Sequence, residues 1–586
     1  MALPANEARV RGPLDRHGIP RSVSSAVVFL IYLGTSLALY GRHTLFHLTR
    51  FIEGFGPSPA YFGRDQSAYT WSIAWVAHSI AHASDPIYTH ALFSPVGYNL
   101  AWAASIIAPA TFATPLTLAA GPIVAYNVLA LLAPAVSAFS AFCLCRYLVA
   151  NTAASFAGGL LYGFGSYETV ETISHLNLSL TALIPAAVLL VLRRGATDIS
   201  LRRFVLLLAA LLAVQLMTST EVLASMFLAG AVAVLVVRFT MPAWLAAHGP
   251  RLLREGLYAV GLATLVAAPF LYYVVFGSNP VGHISGKHSG IDLANIVVPT
   301  GATWLQVPGD LFARAASFHG GPTEQVGYLG IPLLAVMLAF AVEFRRHPAG
   351  RVLLLLFGLF LIAGLGRHLA VGGHATSIPL PWLALGQLPL LKFMLAGRLL
   401  VYVWLVAGIA IAYWISRARL RALRIASLLA VCGTLLPNEA LAWDTHVDAP
   451  ALVKGATQIK RYIPSHSTVL ALPFGIAGNS MYWQLESGFA FDLAGGYISL
   501  SVPHQYQRYT RVLRSLEKGV PKRRLKGELC SFIRFIHPAA IIVRDGVPGR
   551  WNELLRPLHS SPVDVSGFAL YKVKVSGGGA TSCGGG

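Results

Sequence analysis

Repeated apolar runs constrain the fold of this chain more than any other feature of its sequence. Roughly 17–25 apolar residues cross a bilayer, and about eleven runs approach or reach that length. They lie at 23–40, 123–144, 153–164, 176–192, 204–217, 222–237, 257–276, 326–342, 352–365, 399–415 and 425–436. Only 12% of the residues are charged, against about 25% in soluble proteins. Because backbone in lipid must satisfy its own hydrogen bonds, the runs predict a mainly α-helical polytopic membrane protein with about 11–13 transmembrane helices.

Clusters of arginine between the apolar runs predict how the helices are oriented. The clusters lie at 193–203, 238–254, 345–351 and 417–424, and two apolar runs separate each cluster from the next. Arginine-rich connections stay in the cytoplasm, so the loops 277–325 and 367–392 and the chain after 436 are expected outside. The net charge of +20 fits this topology and attraction to anionic lipid, and nucleic acid is not expected as a partner.

Changes in composition predict the domain boundaries. In chain order we expect a cytoplasmic tail at 1–22, a transmembrane domain at 23–437 with outer loops at 41–102 and 277–325, an outer α/β domain at 438–575 and a disordered Gly-rich tail at 576–586. Within the first loop, 69–82 has the apolar spacing of an amphipathic helix in the membrane interface. The α/β domain rests on β-rich runs at 467–474, 539–543 and 568–575 and a basic helical stretch at 508–526.

The apolar run 103–120 leaves two topologies open. Pro109 and Pro115 interrupt it. A full crossing would move every later arginine cluster to the outside, whereas a re-entrant or interfacial segment keeps the clusters in the cytoplasm. The cost of translocating four arginines within 193–203 favours the second topology.

Short motifs follow one another in a set order along the chain. They are Arg64-Asp65-Gln66 with Tyr69, Pro95-x-Gly97-x-Asn99-Leu100, His175-Leu176-Asn177-Leu178 and Ala494-Gly495-Gly496-Tyr497. Together with the long first loop, the many-helix bundle and the outer C-terminal domain, they resemble the GT-C superfamily of membrane glycosyltransferases. The chain looks like the protein O-mannosyltransferase and lipid A aminoarabinose transferase type, in a poorly characterised bacterial branch. The resemblance implies a full crossing at 103–120, against the arginine argument.

The resemblance implies an inverting glycosyltransferase that uses a polyprenyl-phosphate-linked sugar at the outer face of a bacterial inner membrane. The signature of the superfamily is an acidic pair in the first loop followed by a tyrosine, and here Asp65 and Tyr69 match while Gln66 replaces the second acid. Asp65 is the candidate general base, which would deprotonate the acceptor hydroxyl in a single displacement. The alternative is a cap at the start of the following helix. No metal or other cofactor is expected, and a divalent cation is left open.

Polar residues of several outer segments are candidates for sugar or acceptor contacts. They are Arg64, Gln66, Tyr69, Asn99, His175, Asn177 and Glu221. His175 and Asn177 adjoin a membrane run together with Glu168 and Glu171, and polar groups are costly there unless they face a cavity or water. The alternative for His175 and Asn177 is an ordinary polar loop, and for Glu221 a solvated helix cap.

Lys392 and Arg398 are candidates for binding the lipid phosphate. They bracket 393–397 at the outer end of an apolar run. A leaving polyprenyl phosphate develops negative charge that a cation stabilises, and a guanidinium offers two donors at a time. The alternative is a pair of cationic anchors at the membrane surface. The expected partners are a polyprenyl-phosphate-linked sugar, a glycan, lipid or protein acceptor, and membrane lipids.

Two other functions compete with glycosyl transfer. A transporter or flippase of lipid-linked glycans would have short loops, internal repeats and broken helices, whereas this sequence has long outer loops and no repeat that we detect. A non-catalytic membrane assembly protein would use the C-terminal domain to bind partners. The substitution Asp65→Asn separates this reading from an enzyme.

Overall fold

The computed structural model describes most of the chain. The described residues are 21–42, 44–53, 64–278, 290–305, 308–309, 315–318, 321–388, 391–417, 421–438, 444–446, 450–475, 480–498, 501–521, 525–558 and 560–573. Most of the predicted N-terminal tail and the whole predicted C-terminal tail lie outside these residues, as does part of the second outer loop.

The described residues of the first half of the chain form twelve α-helices. They are α1 (Arg21–Tyr40), α2 (Arg64–Ala81), α3 (Ile107–Ala120), α4 (Pro122–Val149), α5 (Thr152–Gly163), α6 (Ser166–Ser174), α7 (Leu176–Ser179), α8 (Leu183–Gly195), α9 (Leu201–Thr218), α10 (Thr220–Thr240), α11 (Pro242–Val266) and α12 (Ala268–Phe276). The short strands β1 (Phe51–Glu53), β2 (Tyr88–Thr89) and β3 (Tyr98–Asn99) flank α2 in the first loop.

The second half completes the bundle and adds a sheet domain. Its helices are α13 (Ile331–Phe344), α14 (Pro348–Gly364), α15 (Trp382–Leu385), α16 (Leu400–Ser416), α17 (Arg421–Leu435), α18 (Pro450–Gln458), α19 (Ser480–Glu486), α20 (Thr510–Lys518), α21 (Lys526–Ile536) and α22 (Trp551–Leu555). Its strands are β4 (His368–Val371), β5 (His374–Pro379), β6 (Asp444–His446), β7 (Thr468–Leu472), β8 (Asp492–Leu493), β9 (Ala540–Arg544), β10 (Pro562–Asp564) and β11 (Phe568–Lys572).

Long apolar helices make the chain a multi-pass membrane protein. Among the described residues five helical segments are long and apolar enough to span a bilayer, and α11 with α12, bent by 77°, would make a sixth. Five further apolar helices of 10–17 residues accompany them. Every predicted crossing falls on one of the helices, which confirms the predicted fold class. The disputed run 103–120 becomes α3, which at about 1.5 Å per residue is roughly 21 Å long, and Gly121 with φ +92° separates α3 from α4.

The predicted arginine clusters meet in pairs. Arg194, near the end of α8, donates to Glu255 of α11 at 2.6 Å, and Arg251 donates to the carbonyl of Arg194 at 3.0 Å. Arg424 of α17 pairs in the same way with Glu343 of α13 at 3.0 Å. The helices that end at arginine clusters begin near predicted site residues: α8 follows His175, α10 has Glu221 in its first turn, and α16 follows Arg398. The bundle thus has one basic end and one end that carries most of the predicted site.

The C-terminal domain is built on a five-stranded mixed sheet with the order β10-β11-β9-β7-β8. β7 pairs in parallel with β8 and β9, while β11 pairs antiparallel with β9 and β10. The three β-rich runs of the sequence form β7, β9 and β11, as predicted. The basic stretch 508–526 differs from one helix: α20 ends before Gly519, whose φ of +61° allows the left-handed cap, and α21 begins at Lys526.

The first loop and the C-terminal domain share one hydrophobic core. Trp71 of α2, fully buried, donates from Nε1 to Oε1 of Gln484 at 2.7 Å. Gln484 in turn donates to the carbonyls of Ala91 and Phe491, both at 2.8 Å. A backbone hydrogen bond from Leu493 to Ala91, 2.9 Å long, extends the contact. The two segments therefore lie on the same side of the bundle.

Helix α2 differs from the interfacial helix expected at 69–82. From Gln66 to Ala74 every residue is buried, because α3 and α4 cover the helix on one side and the C-terminal domain on the other. Its polar residues Ser67, Thr70 and Ser72 are buried as well. Helix α2 thus lies inside the protein, with its N-terminus next to the predicted site.

Candidate active site

The start of α2 carries Asp65 to the edge of a charged cluster. Asp65 lies in the first turn of the helix, where the helix dipole favours a carboxylate. Its Oδ2 is 3.5 Å from Nε2 of His175. The Asp65 side chain is 30% exposed and that of His175 is 11% exposed, so the carboxylate keeps an open side.

His175 occupies the junction of α6 and α7. Its backbone N–H donates to the carbonyl of Glu171 at 2.7 Å, and its own carbonyl accepts from Leu178 at 2.8 Å. Its Nδ1 lies 2.7 Å from Oε2 of Glu171, which is fully buried. Its Nε2 also lies 3.8 Å from Oε1 of Glu324. The imidazole therefore has carboxylates at both ring nitrogens.

Arg398 forms the second cationic centre of the cluster. Nη1 donates to Oε2 of Glu221 at 2.5 Å, and Nη2 donates to Oε1 of Glu324 at 2.7 Å. Glu221 lies in the first turn of α10, Arg398 in the turn before α16, and Glu324 in the loop before α13. One guanidinium thus holds two helix starts and a loop together.

A chain of neutral hydrogen bonds runs beside the charged groups. Tyr69, one turn after Asp65, donates from its hydroxyl to Oδ1 of Asn177 at 2.5 Å. Nδ2 of Asn177 lies 3.5 Å from Oγ of Ser219, and this hydroxyl caps α10 by accepting from the N–H of Val222 at 3.3 Å. The chain connects α2 with α7 and with the helix that carries Glu221.

The cluster holds more acid than base. Among the described side chains, the ion-pair partners of Asp65, Glu171, Glu221 and Glu324 are His175 and Arg398. Burial lowers the pKa of His175, but the carboxylates of Glu171, Glu324 and Asp65 outweigh burial and raise it to about 9. Burial likewise opposes the charge of Glu324, yet Arg398 and His175 bring the pKa of Glu324 below its usual value. His175 and Glu324 are therefore both charged at neutral pH, and each lies beside a group of opposite charge.

The structure brings Asp65, Tyr69, His175, Asn177, Glu221 and Arg398 into this one cluster, at bond distances from one another or through shared partners. These residues come from four separate parts of the sequence. Their roles in catalysis and binding stay predictions. The six residues lie together, and Asp65 has the most accessible carboxylate among them.

Other predicted site residues have structural contacts. Gln66 donates from Nε2 to the carbonyl of Ile173 at 2.8 Å, which ties α2 to α6. Asn99 caps a turn by accepting from Ala101 at 3.1 Å and donates to the carbonyl of Tyr273 at 2.8 Å. Both side chains are buried. A sugar contact by Asn99 would have to displace these bonds.

The two predicted phosphate ligands have different surroundings. Lys392 is exposed, and its Nζ lies 4.9 Å from the centroid of the Phe393 ring. Arg398 differs from the free cation that the sequence suggested, because both of its Nη groups bond to carboxylates. Its Nε is buried without a hydrogen-bond partner among the described residues. The side chain of Arg64 lies outside the described part of the chain.

Sequence reasoning missed two members of the cluster. Glu324 was not singled out because it sits in a long loop without a motif, and only the fold brings it 2.7 Å from Arg398. Glu171 was noted as a polar neighbour but not as the partner of His175. Its spacing of four residues from His175 on a helix was the available signal.

In the described part of the chain, no three His, Cys, Asp or Glu side chains are grouped to hold a metal ion. The acidic residues instead pair with His175 and Arg398. The arrangement leaves the Asp65 carboxylate accessible, and an accessible carboxylate can accept a proton.

Solved structures resemble the fold along most of the chain. The arabinofuranosyltransferase AftD from mycobacteria matches with a TM-score of 0.57 at 13% identity, over 97% of this chain and 42% of its own. ArnT from Cupriavidus metallidurans, solved with undecaprenyl phosphate, gives 0.49 at 10% identity over 96% of this chain and 99% of its own. An oligosaccharyltransferase from Archaeoglobus fulgidus gives 0.48 at 10% identity over 88% of this chain and 68% of its own.

The comparisons bear on the fold alone. No protein-family model and no curated protein sequence matches the chain. The chain spans 42% of the length of the mycobacterial arabinofuranosyltransferase, so that protein's activity does not transfer with the likeness. The match extends over the helical bundle and the sheet domain together. The chain therefore shares its fold with the mycobacterial arabinofuranosyltransferase AftD.

Proposed function

We propose that this protein is an inverting glycosyltransferase that moves a sugar from a polyprenyl-phosphate donor to an acceptor hydroxyl, with Asp65 as the general base. One observation supports the role of Asp65 above all. Among the four carboxylates of the cluster, Asp65 is the most exposed, at 30% against 0% for Glu171, 16% for Glu324 and 18% for Glu221. The other three are engaged at 2.7 Å or less by His175 or Arg398.

The proposed reaction is a single displacement. Asp65 takes the proton from the acceptor hydroxyl as its oxygen attacks the anomeric carbon. The bond between that carbon and the phosphate oxygen breaks on the opposite face, and the electron pair leaves with the polyprenyl phosphate. The anomeric configuration is therefore inverted.

A cation near the leaving phosphate would stabilise its developing charge. We propose Lys392 for this role first, because its side chain is exposed and pairs with no acid among the described residues. Arg398 stays a second candidate: its Nη groups are bonded to Glu221 and Glu324, which leaves Nε for a ligand. The sugar would lie between Asp65 and the polar side chains of Tyr69 and Asn177.

The proposed location is the bacterial inner membrane, with the site and the C-terminal domain at its outer face. The basic end of the bundle would face the cytoplasm. The site lies at the other helix ends, on the side of the first loop and the sheet domain. The fold likeness to a mycobacterial arabinofuranosyltransferase supports a sugar-transfer chemistry of this kind.

The proposal is tested by finding the donor in the host itself. A strain lacking the protein should accumulate one polyprenyl-phosphate-linked sugar, detected by mass spectrometry of lipid extracts. The purified full-length protein should consume this lipid and release polyprenyl phosphate when membranes of the same strain supply the acceptor. Accumulation of no lipid-linked sugar, or an accumulated lipid that the purified protein leaves intact, would contradict the proposal.

A further inference from the structure

We infer that His175, held in place by Glu171, is a positioning residue that aims the Asp65 carboxylate at the acceptor. The inference rests on the proposed function of Asp65 as a base. It assigns His175 a role through Asp65, whereas the sequence suggested a direct contact with sugar.

Both ring nitrogens of His175 face carboxylates, so both need a hydrogen to donate. Nδ1 lies 2.7 Å from a carboxylate oxygen of Glu171, and Nε2 lies 3.5 Å from one of Asp65. Carboxylates accept hydrogen bonds, and a neutral imidazole has a hydrogen on only one nitrogen. Only the imidazolium can donate toward both residues. The geometry thus calls for a charged ring between a buried and an open carboxylate.

The surroundings fix the ring in this orientation. His175 ends α6, and its backbone bonds to Glu171 and Leu178 hold the main chain on both sides. The Glu171 side chain is fully buried, so it anchors Nδ1 from a rigid position. Asp65 faces His175 from α2, and Glu324 faces it from the loop before α13. Because Glu171 holds Nδ1, the other ring nitrogen, Nε2, faces the carboxylate of Asp65.

The positive charge of the His175 ring strengthens its interaction with the Asp65 carboxylate. Hydrogen bonds between charged partners are shorter and stronger than neutral ones, and the 3.5 Å distance is one that can tighten when a substrate closes the site. A neutral ring would keep its single hydrogen toward the closer Glu171 and release Asp65. The pKa of His175, raised to about 9 by its carboxylate neighbours, keeps the ring charged at neutral pH.

The experiment compares the pH dependence of turnover in three full-length variants, using the accumulated donor lipid described above. Wild type should lose kcat as the pH rises through about 9. His175→Gln keeps a neutral donor at the position of Nε2, so it should lose about 10²-fold in kcat, keep the donor KM, and show no alkaline fall. Glu171→Gln should move the alkaline fall to lower pH, because the carboxylate that most raises the pKa of His175 is gone. His374→Gln, an exposed histidine on β5, is the matched control and should follow wild type.

The outcomes separate the inference from the proposed function. If Asp65→Asn is inactive but His175→Gln and Glu171→Gln both keep the wild-type pH profile, the positioning role is wrong and the base remains. If Asp65→Asn retains turnover, the proposed base itself is wrong. A purely structural role of His175 would lower the yield of folded protein without moving the alkaline fall in Glu171→Gln. Should His175→Gln fail to fold, the shift in Glu171→Gln decides alone.

Discussion

Arg398 donates a hydrogen bond to Glu324 across 2.7 Å and thereby ties the loop before α13 to the start of α16. Its other Nη group reaches Glu221 at 2.5 Å on α10. All three side chains are less than 20% exposed: 11% for Arg398, 16% for Glu324 and 18% for Glu221. These three ions connect the starts of α10 and α16 to the loop before α13, and Glu324 of this loop also lies near His175.

Removing the guanidinium should therefore destabilise the protein. The substitution Arg398→Gln leaves the mostly buried Glu221 without its cation and Glu324 with only His175, 3.8 Å away, and breaking such a buried pair costs about 3–5 kcal/mol. The free energy of unfolding in mild detergent measures the loss. Arg511→Gln is the control, since Arg511 pairs with Glu528 at 2.7 Å but is 78% exposed, and its loss should cost at most about 1 kcal/mol. Equal effects of the two variants would contradict the buried triad.

The stability of the protein should fall on the alkaline side. The pKa of His175 is raised from 6.5 to about 9 in the folded protein. A raised pKa stabilises the fold fully below the unfolded value, and this contribution is lost as the pH rises from 6.5 through about 9. Thermal unfolding of wild type and His175→Gln across this range measures the effect. The difference between the two should shrink as pH increases, and a constant difference would show that His175 is neutral in the fold.

The side-chain amide of Gln484 stabilises the contact between the first loop and the C-terminal domain. Gln484 accepts from Trp71 and donates to the carbonyls of Ala91 and Phe491. Gln484→Leu leaves the Trp71 N–H and the Phe491 carbonyl unpaired in a buried site, at about 1–3 kcal/mol for each unsatisfied group, while the carbonyl of Ala91 keeps its bond from the N–H of Leu493. We expect faster proteolysis of the C-terminal domain and a lower unfolding temperature. Gln507→Leu, at an exposed position, should leave both measurements unchanged; cleavage rates that match between the variants would refute the role of Gln484.

Helices α5 and α16 approach each other through two glycines. A Cβ at Gly158 would lie 2.6 Å from the carbonyl oxygen of Gly408, and a Cβ at Gly408 would lie 2.6 Å from that of Gly158. Small residues allow such close approach of membrane helices. Gly408→Val should overpack the contact at a cost of about 1–3 kcal/mol, seen as a lower unfolding temperature. Gly358→Val on α14, where a Cβ meets nothing within 4 Å, should be tolerated, and equal losses would argue against the contact.

The sequence predicted the bundle well because hydrophobic length alone determines where a chain enters lipid. It also identified β7, β9 and β11 from composition. The burial of α2 was not predictable in this way, because Trp71 is covered by Gln484, a residue 413 positions away. The apolar spacing of 69–82 predicted an interfacial helix, because the domain that covers α2 comes much later in the chain.

The sequence identified most residues of the site one by one, but it did not predict which of them would form ion pairs. Asp65, His175, Glu221 and Arg398 each stood out as polar groups next to apolar runs. Nothing in their spacing indicated that Arg398 would be shared by two carboxylates or that Glu324 would complete the cluster. Such pairs depend on how separate helices pack, and the charge of one residue is set by partners far away in the sequence.

The base assigned to Asp65 is tested by the rate of donor consumption in Asp65→Asn. The control is Asp85→Asn, because Asp85 has structural contacts: Oδ1 caps a turn by accepting from Ile87 at 2.7 Å and Tyr88 at 3.2 Å, and Oδ2 accepts from the hydroxyl of Tyr273. Asparagine caps equally well. We expect Asp65→Asn to lose about 10²–10⁴-fold in kcat with an unchanged unfolding temperature, while Asp85→Asn retains activity. Turnover by Asp65→Asn at the wild-type rate would contradict the assignment.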